Sequence, residues 1–100
     1  MKLTREYFEE NGYDVNNVEF EGHTYWEAKL TKRYENGDGI YANVTVTNLM
    51  YPNEFNFVGE LGNNFKSSHL IIKTVKDLGM IYKLAKVKYN KDENKWMSIK

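Results

Sequence analysis

Trp26–Asn48, with the sequence WEAKLTKRYENGDGIYANVTVTN, is the stretch that decides the fold class of this chain. Apolar and polar residues alternate on both sides of a central segment rich in glycine, aspartate and asparagine. The residues on the apolar side are Trp26, Ala28, Leu30, Tyr34, Ile40, Ala42, Val44 and Val46. A period of two indicates β-strands with one buried face, and the turn-forming residues between them indicate a hairpin. We therefore predict a long antiparallel hairpin.

The register of this hairpin follows from the requirement that buried residues face one another. A two-residue turn at Asn36-Gly37 is the commonest hairpin signal, but here it would set each apolar residue across from a polar one. A shift of one residue moves a whole strand to the other face. We therefore predict that Leu30 pairs with Val44, with a five-residue loop over residues 35–39.

Length and composition limit the class of protein. At 100 residues the chain has the size of one domain, which we assign to residues 1–100. Its 14 basic and 14 acidic side chains balance, which argues against both a general nucleic-acid binder and an acidic nucleic-acid mimic. It has no cysteine, so disulfides and thiolate metal sites are excluded. No stretch resembles a signal peptide or a membrane span, and we expect a cytoplasmic protein that does not bind membranes.

Two helices are predicted from their capping signals. Thr4 is a suitable N-cap for a short N-terminal helix, and Leu3 and Phe8 have the spacing of a hydrophobic staple. Thr74 and Asp77 have the spacing of a capping box at the start of a second helix, which we expect to end near Lys86. The apolar stripe of this second helix comprises Val75, Leu78, Ile81, Tyr82 and Ala85.

Further strands are predicted from the same alternation. They span residues 16–20, where Val18 and Phe20 alternate with Glu19, residues 55–61, and residues 68–73, where Leu70 and Ile72 point inward. Residues 87–100 are expected to form a final hairpin or a disordered tail. The order of elements predicts an α+β fold, with an antiparallel β-sheet of about five strands. A short N-terminal helix and a second helix near the C-terminus should pack on one face of it.

No pattern of residues indicates catalysis or cofactor binding. His23 and His69, the two histidines, are not part of any metal-binding or catalytic spacing, and we interpret both as surface residues. The glycines form no phosphate-binding loop. We therefore expect no enzymatic activity, no catalytic residues, no metal and no cofactor.

The polar face of the sheet is the candidate binding surface. It brings aromatic, cationic and amide side chains to one side of the hairpin, as expected for an adaptable contact surface. The proposed binding residues are Tyr25, Lys29, Arg33, Tyr41 and Asn43. The alternative interpretation is a solvated face made of residues with good strand propensity. Val58 and Ile71 are also predicted to point outward, toward a partner or a dimer seam, and Trp96 is interpreted as a core residue.

Two short segments carry a resemblance. Residues 3–13, LTREYFEENGY, are followed by an aromatic hairpin and by HLIIKTVKDL at residues 69–78. This order resembles small proteins encoded by phages and prophages of gut bacteria of the Bacteroidetes type. The resemblance implies an accessory protein of a mobile element, with an anti-defence role, and it implies no enzymatic activity and no site residues.

Two functional hypotheses from different classes follow. The first is an interaction module that binds one host or defence protein stoichiometrically. The second is a small-ligand binder, such as a homo-oligomeric sponge for a nucleotide signal, supported by Tyr25 and Tyr41 beside Lys29 and Arg33. An enzyme is a third and weaker alternative, and a homodimer is compatible with either of the first two.

Overall fold

A computed structural model describes residues 2–32, 40–51, 54–62 and 64–99 of the chain. Four strands form an antiparallel meander, and two short strands pair in succession with the free edge of the fourth. A separate two-stranded hairpin follows the second helix. The elements are α1 (Arg5–Glu10), β1 (Asp14–Phe20), β2 (His23–Lys32), β3 (Ala42–Tyr51), β4 (Glu54–Leu61), β5 (Phe65–Ser67), β6 (Ile71–Ile72), α2 (Val75–Ala85), β7 (Val87–Asn90) and β8 (Lys95–Ser98). The predicted α+β class, with an antiparallel sheet and two helices, is confirmed.

The register of the central hairpin is confirmed. Leu30 lies across from Val44, and Ala28 lies across from Val46. All four side chains are buried, so this face of β2 and β3 is the inner face of the sheet. Residues 33–39, which include Arg33 and the expected five-residue loop, lie outside the described part of the chain.

Strand β1 is longer than expected, and its Val18 and Phe20 point outward while Val15 packs against the core. The turn that joins β1 to β2 consists of Glu21 and Gly22, which have φ values of 48° and 80°. Positive φ at both positions is the signature of a two-residue type I′ turn. This turn pairs Phe20 with His23 and Val18 with Tyr25, on the face opposite to the core.

Gly59 allows β3 and β4 to approach each other closely at the centre of the sheet. Gly59 in β4 lies across from Val44 with φ of 135°, a conformation that residues with a side chain rarely adopt. A Cβ atom built at Gly59 would lie 2.0 Å from the carbonyl oxygen of Asn43. The backbones of β3 and β4 therefore approach each other more closely here than any other residue would permit.

Both helices begin as predicted and cover the inner face. The Thr4 hydroxyl accepts from the Tyr7 backbone N–H, 3.1 Å away, at the start of α1. The capping box of α2 is complete, since Thr74 accepts from the Asp77 N–H and the Asp77 carboxylate accepts from the Thr74 N–H. Helix α2 ends at Lys86 in a left-handed conformation. The residues of α2 that join the core are Leu78, Ile81 and Ala85.

The C-terminal segment is a hairpin that closes the core. Trp96 in β8 is buried, which confirms its interpretation as a core residue. Its ring lies 4.8 Å from that of Tyr82, 5.2 Å from that of Tyr89 and 6.1 Å from that of Tyr13. These four residues form the aromatic cluster, which joins the connection between α1 and β1, helix α2 and the hairpin.

The segment from Ser68 to Lys73 corrects one expectation. The chain forms β5, leaves the ladder at Ser68 and returns to β4 only for the two residues of β6. Ile72 is buried as expected, but Leu70 is exposed. The Leu70 carbonyl oxygen accepts a hydrogen bond from the Phe57 backbone N–H, and the Leu70 N–H donates to the side-chain oxygen of Asn56. The backbone of Leu70 is therefore held against β4, but its side chain lies at the sheet edge beside α2.

Candidate functional site

The structure places the described members of the expected binding surface on the outer face but does not bring them all together. Lys29 lies across from Thr45, while Tyr25 and Tyr41 each lie four residues away from this pair, in opposite directions. At a rise of roughly 3.3 Å per residue, about 26 Å separates Tyr25 from Tyr41. The two tyrosines therefore do not form a joint stacking site, and Asn43 lies at the Tyr41 end.

The outer face is electrostatically mixed. Lys29 pairs with Glu27 at 3.5 Å, and Lys66 pairs with Glu60 at the same distance. Val58 and Ile71 point outward as predicted, since each pairs with a polar outward residue, but both are half-buried. The described residues of this face offer neither a strong charge nor a broad apolar patch.

The two histidines lie apart on the surface. His23 starts β2 and His69 lies in the irregular segment before β6, and both are exposed. Among the described residues, no three histidine, aspartate or glutamate side chains are close enough to hold a metal ion. The described part of the chain also has no helix that is long and apolar enough to cross a membrane.

The most unusual surface of the molecule surrounds α2. Five large apolar side chains are exposed in the described part of the chain, and four of them belong to this region. Met80 is 58% exposed and Leu84 is 65% exposed, both on α2, while Leu70 and Ile99 flank the helix on its two sides. We call these four residues the α2 surface. The fifth, Phe20, is at the far end of β1.

Two grooves run along the two sides of α2. The apolar groove, of about 400 Å³, lies between α2 and the sheet edge, and Leu70, Met80 and Leu84 contribute to its walls. The tyrosine–lysine groove, of about 540 Å³, lies between α2, α1 and β7. Met80 is the one residue that lines both grooves, so it forms the ridge between them.

The α2 region is strongly basic. Residues 73–88 contain five lysines and one aspartate, in a chain whose total charge is zero. That aspartate, Asp77, accepts hydrogen bonds from the backbone N–H groups of Lys73 and Thr74, which lowers the pKa of its carboxyl group. Lys73 in turn pairs with Glu54 at 3.2 Å. The lysines farther along α2 and β7 lack any such carboxylate within the tyrosine–lysine groove.

The tyrosines of this groove are anchored from behind. The hydroxyl groups of Tyr82 and Tyr13 lie 2.6 Å apart and share a hydrogen bond, and burial raises the pKa of both. The Tyr89 hydroxyl donates to the Asn94 side chain. Trp96 packs behind Tyr82 and Tyr89, and its buried indole N–H has no hydrogen-bond acceptor among the described residues.

Sequence reasoning missed the α2 surface, although a signal was present. Met80 and Leu84 lie outside the apolar stripe of α2, four residues apart, and so they project together from the exposed side of the helix. No family model, curated protein or solved structure matches this chain.

Proposed function

We propose that this chain is an interaction module that binds one partner protein through the α2 surface, and that it acts by binding rather than by catalysis. The observation that carries the proposal is the gathering of four of the five exposed large apolar side chains around one helix. Contiguous exposed apolar surface is rare on monomeric proteins and marks contact sites. Met80 and Leu84 project side by side, as the anchor residues of a helical contact surface do.

The charge of the α2 region indicates the chemistry of the partner. Five lysines and one aspartate over residues 73–88 favour a partner whose apolar patch is rimmed by acidic residues. A second copy of this chain is a poor fit, because a two-fold contact would place two such lysine-rich segments against each other. We therefore propose a different protein as the partner.

The resemblance to phage and prophage proteins supports a bacterial host or defence protein in this role. The outer face of the sheet is the alternative surface for binding this partner. Arg33 is one of its proposed binding residues, although it lies outside the described part of the chain. Because Tyr25 and Tyr41 lie at opposite ends of that face, the outer face is the weaker candidate of the two.

Affinity capture with paired variants tests the proposal. The wild-type chain, immobilised, is exposed to a lysate of a gut bacterium of the Bacteroidetes type, and the retained protein is purified and titrated. Leu84→Glu should weaken its binding by at least about tenfold, because it puts a charge into an apolar anchor position and repels an acidic partner. Phe20→Glu is the matched control, since it makes the same kind of change at a comparably exposed site outside the α2 surface.

The possible outcomes separate the alternatives. Loss of binding in the Leu84→Glu chain alone supports the α2 surface. Equal binding by both variants, with loss in a Tyr41→Ala or Lys29→Ala chain, transfers the function to the outer face. A wild-type dimer in sedimentation experiments that Leu84→Glu converts to a monomer replaces the partner protein by a second copy.

A further inference from the structure

The tyrosine–lysine groove has the dimensions and walls of a small-molecule site. Its volume of about 540 Å³ falls within the range of roughly 300–1,000 Å³ that is usual for ligand pockets. Tyr7, Tyr82 and Tyr89 line it, together with the apolar side chains of Met80, Val87 and Ile99. The tyrosine rings suit a flat aromatic ligand such as a nucleic-acid base, because stacking on a ring depends little on which base it is.

The charge of the groove selects an anionic ligand. Lys76 and Lys83 lie two turns apart on α2, roughly 10 Å along the helix axis, and Lys88 is on the adjoining strand β7. All three are exposed, and no carboxylate is present among the lining residues. Three ammonium groups around one groove, with no carboxylate in its described lining, attract phosphate-like charge.

Gly79 provides a separate argument that something binds against α2. Glycine in the middle of a helix is unfavourable, but its missing side chain lets another group come close to the backbone. Among the described residues no such group exists, because a Cβ atom at Gly79 would have no neighbour within 4 Å. The close helix–sheet contact that a glycine here suggests is therefore absent. Gly79 instead opens the helix backbone toward the tyrosine–lysine groove, between Lys76 and Lys83.

We propose that the tyrosine–lysine groove binds a nucleotide, with the base against the tyrosine rings and the phosphates between the lysines near Gly79. The tyrosine–lysine groove and the apolar groove share only Met80 among their described lining residues, and the α2 surface also reaches the tyrosine–lysine groove through Ile99. The chemistry required of the ligand is an aromatic ring joined to a phosphate group, as in a nucleoside diphosphate.

Titration with matched ligands tests the two halves of this recognition separately. The four common ribonucleoside diphosphates, adenosine and pyrophosphate are titrated into the full chain by calorimetry. Tryptophan fluorescence is followed in parallel in a Trp26→Phe chain, where Trp96 behind the groove is the one remaining tryptophan. At least one nucleoside diphosphate should bind at least about tenfold more tightly than adenosine or pyrophosphate, because only it uses both the rings and the lysines.

Variants assign the binding to the groove. Lys83→Glu should reduce nucleotide affinity by at least about tenfold, Lys83→Arg should retain most of it, and Lys91→Glu, outside the groove, should leave it unchanged. Gly79→Ala should raise the melting temperature, because alanine is the better helix former, and yet weaken nucleotide binding. A change that stabilises the fold and weakens binding cannot act through misfolding.

Three results would overturn the proposal. They are binding of pyrophosphate as tightly as of the nucleotides, binding of nucleotides that survives Lys83→Glu, and no binding of any nucleotide by a folded wild-type chain. The Leu84→Glu chain should still bind the nucleotide. Loss of the protein contact with the nucleotide site intact, or the reverse, therefore identifies which of the two proposals fails.

Discussion

The two faces of the sheet come from the same strands and differ in how strongly the sequence constrains them. On the inner face, Ala28, Leu30, Val44 and Val46 are fully or almost fully buried against one another and the helices. On the outer face the alternate residues of the same strands are polar and at least partly exposed. A buried position admits few side chains, whereas an outer one admits many. The inner face therefore reveals the fold, while the outer face carries little information about function.

The largest effect is expected where the inner face allows no side chain at all. Gly59→Ala should lower the free energy of unfolding by about 2–6 kcal/mol, from strained backbone and from overpacking against Asn43. Gly22→Ala is the control, because it also has positive φ but meets nothing within 4 Å. Denaturant unfolding measures both. Equal losses would show that the close approach of β3 and β4 contributes nothing.

A pair of neighbouring residues compares the two faces directly. Leu30→Ala should cost about 2–5 kcal/mol, since it leaves a cavity in a fully buried site. Thr31→Ala, one residue along and on the outer face, should cost less than about 1 kcal/mol. Unfolding midpoints in urea give the comparison. Similar costs at the two positions would refute the assignment of the inner face.

The smallest effect on stability is expected for the hydrogen-bonded hydroxyl groups of Tyr13 and Tyr82. Burial raises the pKa values of Tyr13 and Tyr82 above the ordinary 10.0, so these groups hold their protons more tightly in the folded state. Their stabilising contribution is complete below pH 10 and is lost as the pH rises above it. Wild-type stability should therefore fall above about pH 10.

The Tyr13→Phe/Tyr82→Phe double variant should lack this part of the alkaline decline. At neutral pH it should differ from wild type by about 1 kcal/mol or less, because both partners of the hydrogen bond are removed together. Chemical unfolding at pH 8 and pH 11 measures the difference, and a double variant with an undiminished decline would contradict the role of the pair.

The elements that could be predicted from the sequence are those for which only one register or one helix start satisfies burial and hydrogen bonding. Only one register of the central hairpin buries Leu30 opposite Val44, and only one start of α2 satisfies the capping box of Thr74. The direction of β1 needed a further step. The two-residue turn at Glu21-Gly22 pairs Phe20 with His23, and counting back from the buried Ala28 would have placed Val18 and Phe20 outside.

The candidate site was harder to predict because it depends on how separate elements meet. The α2 surface takes Leu70 from the sheet edge and Ile99 from beyond β8, and no local pattern brings these two to one helix. Leu70 was expected inside because its strand was assumed to be continuous. One signal of the α2 surface was present in the sequence: a helical projection places Met80 and Leu84 next to each other, outside the apolar stripe of α2.

The aromatic cluster around Trp96 has a consequence for how the chain opens. Tyr13 lies near the start of the chain, Trp96 near its end, and a backbone bridge joins Lys2 to Thr74. Chain ends ordinarily fray at little cost because few contacts hold them. Here, detachment of the segment around Tyr13 or of the C-terminal hairpin would break the contacts around Trp96, and both segments also hold α2 in place. The described segments before β1 and after α2 therefore belong to one cooperative unit with the sheet.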